Sequence, residues 1–175
     1  MARAVDELGY PETTVRDVLE RAGMSRRTFY ELFENREQCF LAAYDAAVDE
    51  ALGRIEDACE RTRSSPPRLD EPLRELLAYL TDRPELARLL VVEPVRAGPS
   101  GLDRHERTMR ELASRLVRAQ SGAAGEHERV LLRAEAGVGA VHRIVQARII
   151  EGRADELEGL APELSSVMRE LAIEA

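Results

Sequence analysis

Apolar residues recur at intervals of three and four along most of this chain, as at Leu160, Leu164, Val167 and Leu171, and almost nowhere alternate with polar ones. That spacing keeps an apolar stripe on one face of a helix, whereas a half-buried strand needs a period of two. The chain is therefore expected to be all-α, with glycine and proline marking the breaks. With 175 residues, 44% of them hydrophobic, it can bury a core, and the length suits a small module joined to a larger body. The longest apolar runs, such as residues 89–92, fall far short of the ~20 residues that span a bilayer. The opening residues also lack the basic, apolar and small-residue succession of a signal peptide. A cytoplasmic setting without membrane contact is expected.

The breaks predict helices over residues 2–8, 15–22 and 25–33, with Thr14 and Ser25 as caps. Asn35 caps a fourth helix reaching about Thr62, with Phe40, Ala43, Ala47, Ala51, Ile55 and Ala58 along one stripe. Residues 63–69, with adjacent Pro66 and Pro67, read as a linker. Further helices follow over 71–81, 84–95, 102–121, 125–151 and 159–171. The helix over 125–151 carries one stripe of Val130, Ala134, Val138, Val141, Val145 and Ile149, and another of Leu132, Ala136, Ala140 and Ile144. Such a helix needs two partners to cover it.

Cys39 and Cys59 share the fourth helix, about 30 Å apart at ~1.5 Å per residue, and cannot bridge. The histidines, His105, His127 and His142, show no metal-ligand spacing, so no metal site is expected. No nucleophile elbow, phosphate-binding glycine loop or Cys–His pattern marks an enzyme, and no catalytic residue or cofactor is assigned. A net charge of −8 disfavours non-specific binding to a polyanion, so any nucleic-acid contact must be local.

The segment over residues 13–33 supplies such a patch. Val18 and Ala22 precede Gly23, and Met24, Phe29 and Leu32 follow it, a spacing that lets two short helices pack crosswise about a tight turn. Arg26, Arg27 and Tyr30 then project together from the second helix while Phe29 and Phe33 point inward. Arginine can engage guanine O6 and N7 with two hydrogen bonds, and hydroxyl groups can hold phosphate oxygens. The alternative is a solvated helix start with an amphipathic surface ring.

The residues Gly9-Tyr10, Thr13-Thr14-Val15-Arg16-Asp17-Val18, Arg21-Ala22-Gly23-Met24-Ser25 and Thr28-Phe29-Tyr30 to Phe33 make this region similar to the TetR family of bacterial transcriptional regulators. The resemblance covers about the first 45 residues. It implies a three-helix helix-turn-helix domain over 1–45 and a helical effector-binding and dimerisation domain over 46–175. It implies DNA contacts at Thr14, Arg16, Ser25, Arg26, Arg27, Thr28 and Tyr30. Arg36 takes the place of a lysine common at the start of the family's fourth helix, with phosphate as its expected partner.

Leu19, Glu31 and Leu32 depart from the family pattern, and Glu31 faces either a cytosine amino group or water. The first helix is short for the family. Through Asp45, six arginines against nine acidic residues give −3, so basic residues upstream of Met1 are expected in the functional protein. Otherwise the orientation must keep the acids off phosphate.

The resemblance further implies a homodimer through the last two helices, reading half-sites of a pseudo-palindromic operator about 34 Å apart. The alternative for the Leu160 to Leu171 seam is internal core. It also implies a small-molecule effector cavity bordered by residues 76–80, 109–116 and 138–142, with Leu80, Met109, Leu112, Val138 and His142 as candidate ligand contacts. The alternative is plain core, with His142 hydrogen-bonded inside it. A repressor released from its operator by an effector follows from this reading. The competing one is a dimeric ligand-binding or interaction protein that has lost DNA binding through its shortened first helix.

Overall fold

The computed structural model describes residues 1–61, 69–120 and 127–173, and every regular element among them is helical. In chain order they are α1 (Ala2–Leu8), α2 (Val15–Ala22), α3 (Arg26–Leu32), α4 (Arg36–Arg61), α5 (Asp70–Asp82), α6 (Pro84–Val91), α7 (Pro99–Gln120), α8 (His127–Ile150) and α9 (Ala161–Ile173). Two 3₁₀ turns, Ala154–Glu156 and Glu158–Leu160, lead into α9. Most of the expected linker, and Ser121 and Gly125 at the expected helix ends, lie outside the described residues.

The boundaries differ from expectation mainly at proline. α6 stops at Val91 and not at Val95, because Pro94 has no N–H to extend the ladder and disfavours helical backbone at the residue before it. The amides of Val92 and Glu93 both turn onto the Arg88 carbonyl, at 3.0 and 3.1 Å. α7 begins at Pro99, inside the stretch expected as a break. Proline at the first helical position gives up only an N–H that has no partner there, so Pro99 starts the helix.

Two cores form, and they meet on α1. Ala4, Val18, Phe29 and Cys39 make a small cluster, with Leu19, Met24 and Phe33 packed around it. Val5, the next residue on α1, joins Tyr10, Phe40 and Tyr44 in the large core that runs through α4 to α9. α1 thus packs on α2 and, more extensively, on α6. The two stripes of α8 part as the period requires: Ala134, Val141 and Val145 are buried, while Leu132 and Ala136 stand exposed with Ala140 and Ile144 half-buried. The seam on α9 divides in the same way, with Leu164 buried and Leu160 and Val167 bordering an open groove with Ile144 and Ala147 of α8.

Candidate functional site

The helix-turn-helix is set by its caps. Thr14 caps α2, its hydroxyl accepting from the Asp17 amide while the Asp17 carboxylate accepts from the Thr14 amide at 2.8 Å, the reciprocal capping box. The Thr14 hydroxyl, and then its amide, hold the Asp17 carboxyl below its usual range. α2 ends at Gly23 in left-handed backbone, φ 62°, where a Cβ would be strained. Ser25 then caps α3 by accepting from the Thr28 amide at 3.1 Å.

This turn sends Phe29 fully into the head core, with Phe33 against it, ring centroids 5.4 Å apart. Arg26, Arg27, Thr28 and Tyr30 are all exposed on the other side. Leu32 and Ala22 do not take the packing role expected of them. Leu32 is 61% exposed and Ala22 is exposed too, because α3, with seven residues, buries only the narrow edge at Phe29 and Phe33.

The electrostatics of the face are finely balanced. Arg16 donates to Glu20 at 2.8 Å and Arg27 to Glu31 at 2.9 Å, both pairs exposed. Glu31 therefore neither faces water alone nor stands free for a base. Arg26 makes no ion pair among the described residues, and its guanidinium lies 5.7 Å from the Tyr30 ring centroid, a cation–π distance. Two other acids of the head are engaged: Glu7 pairs with Arg21 and the Asp17 carboxylate accepts from the Thr14 amide of the cap.

Arg36 sits differently from the phosphate contact expected of it. Its Nη1 donates to the carbonyls of Tyr10 at 3.1 Å, Pro11 at 3.3 Å and Thr13, and its guanidinium lies 4.2 Å from the Tyr10 ring centroid. It clamps the α1–α2 turn onto the start of α4.

Sequence reasoning missed Glu93. It is fully buried in the turn after α6, where Oε2 accepts from the Tyr10 amide at 2.8 Å and Oε1 from Arg88 at 3.0 Å, with Arg96 at 3.5 Å. One side chain thereby ties the end of α6 to the turn beneath the helix-turn-helix. The only trace in the sequence is a lone acid closing an apolar run.

In the body, Leu80, Met109, Leu112, Val138 and His142 are brought together on the wall of one cavity of about 220 Å³. α4 supplies another wall through Tyr44, Val48 and Ile55, and α6 contributes Leu90 and Val91. Behind His142 the histidines do meet: the His105 and His142 rings lie 4.7 Å apart, and the Tyr44 hydroxyl is 3.2 Å from His105 Nδ1. Burial pushes the His105 pKa from 6.5 down to about 4, helped by His142, and burial lowers His142 as well. Their separation in the chain gives no sign of this pairing. No cluster of three metal-binding side chains occurs among the described residues.

Residues 2–43 match the model of a family of bacterial regulatory proteins, the tetR family. The match covers α1 to α3 and the start of α4, including every element that positions the exposed arginine face. No curated protein and no solved structure matches the chain.

Proposed function

We propose that this chain, whose residues 2–43 match the model of the tetR family of bacterial regulatory proteins, is a DNA-binding transcriptional regulator: a cytoplasmic homodimeric repressor whose operator binding is relieved by a small-molecule effector. In this reading α3 enters the major groove, where Arg26 and Arg27 read base edges, Tyr30 and Thr28 flank them, and Thr14, Arg16 and Ser25 hold phosphate. The exposed face of α8, with the α9 groove, pairs with a second copy, and the cavity takes the effector.

The observation that carries this reading is the continuity of α4. Its first residue, Arg36, clamps the base of the head, and the same helix lines the cavity from Tyr44 to Cys59. An effector that prefers a shifted α4 moves the reading heads away from the spacing that B-DNA requires, a population shift between two conformations.

The test is fluorescence anisotropy with duplex DNA from the chain's own upstream region. The wild-type chain is expected to bind with strong salt dependence. Arg26→Ala is expected to weaken binding about tenfold or more and to flatten discrimination between sequences, and Arg27→Ala likewise. Equal binding by all three chains refutes the assignment of α3. The pairing of Arg16 and Arg27 with glutamates favours a second reading, a dimeric ligand-binding or interaction protein. That reading is correct if the chain binds none of its upstream DNA at low salt.

A further inference from the structure

The cavity wall carries almost no polarity. Among the described residues no Asp or Glu lines it, and Arg115 is the one cationic side chain that does. That guanidinium is already taken: Nη2 donates to Glu111 at 2.7 Å and Nη1 contacts Glu56. An incoming anion would have to displace both carboxylates from it and shed its own hydration to do so.

A cation fares no better. It would find no carboxylate at the wall, and Tyr44, the only aromatic ring there besides His142, is 1% exposed and offers no open face. The same surroundings suppress protonation of His105 and His142; a charged ligand would meet the same desolvation.

The hydroxyl groups at the wall are satisfied from within. Thr108 donates to the Arg104 carbonyl at 3.1 Å, and the Tyr44 hydroxyl is held by His105. Of the His142 ring, Nε2 is buried without a partner, and burial of the ring disfavours its protonation. What remains for a ligand is contact with Val48, Leu52, Leu76, Leu112 and Val138, at 220 Å³, with a single unpaired ring nitrogen, His142 Nε2, among them. Benzene occupies an apolar cavity of about 150 Å³, so one ring with a short alkyl chain fits.

We propose that this cavity binds an uncharged lipophilic molecule the size of a small alkylbenzene, and that this is the chemical class of the effector. The second half rests on the reading of the chain as an effector-released regulator.

Three probes sharing one body separate the charges: propylbenzene, 2-phenylethylammonium and 3-phenylpropanoate. Isothermal titration and thermal unfolding of the full chain are expected to show propylbenzene binding and raising Tm, with both ions weaker by about tenfold or more. Val138→Trp, which fills the cavity, is expected to abolish the propylbenzene effect. Leu112→Trp serves the same purpose if circular dichroism shows the first variant misfolded. An ion that binds as tightly as propylbenzene overturns the proposal, as does absence of any propylbenzene effect or its persistence in a folded tryptophan variant.

Operator binding is measured alongside. Propylbenzene binding that leaves operator affinity unchanged upholds the cavity chemistry and sinks the regulatory reading. Release of the operator by one of the ions alone does the reverse.

Discussion

The buried His105 ring makes the protein less stable in acid. The unfolded chain takes up a proton on this histidine near pH 6.5, the folded chain only near 4. Below 6.5 the unfolded state therefore binds more protons, so the stabilisation is complete above that pH and drains away as pH falls towards 4. A shift of this size corresponds to roughly 3 kcal/mol. Urea unfolding at pH 7.5 and 4.5 is expected to show a loss of roughly 2 kcal/mol in the wild-type chain beyond that in His105→Gln. Equal losses in the two chains exclude the ring as the cause. The sequence singled out His142 on its apolar stretch but not its pairing with His105, because a contact between α7 and α8 depends on how the two helices rotate about their axes. Their apolar stripes constrain that rotation without naming the residues behind them.

At the scale of elements, Arg36 closes the head onto the start of α4, and Glu93 ties that head to the end of α6. Glu93→Gln keeps the shape but removes the charge that Arg88 and Arg96 face, and is expected to cost about 2 kcal/mol, read as a fall in Tm. An unchanged Tm means the three donors are met by water as well as by the carboxylate. On α3, the Arg27–Glu31 pair holds one of the two arginines proposed to contact DNA. Glu31→Gln is expected to tighten DNA binding several-fold at low salt and to steepen its salt dependence by about one counterion. No change in slope indicates that Arg27 does not reach phosphate or base in the complex. The helices and caps were legible in advance at Thr14, Gly23 and Ser25, since each acts through neighbours three or four residues away. Pro94 and Pro99 were misread because proline ends a helix or begins one according to its position in the first turn.

For the whole molecule, the uncovered stripe on α8 poses the question of a partner. Leu132 is 67% exposed, Ile150 56% and Leu171 on α9 40%, more apolar surface on adjacent helices than an isolated chain needs to show. Analytical ultracentrifugation is expected to give a dimer at micromolar concentration and a folded monomer for Leu132→Glu. A wild-type monomer sends this face to another partner. Much of this was written locally: the three-four periodicity makes the chain helical, and the capped turn with its exposed arginines belongs to a continuous stretch recognisable from order and spacing alone. The cavity, the paired histidines, the Glu93 tie and the bonds of Arg36 to the carbonyls of the α1–α2 turn required the folded chain. Each joins residues dozens of positions apart, and burial and hydrogen-bond geometry, which assign them their chemistry, are properties of packing that no local pattern encodes.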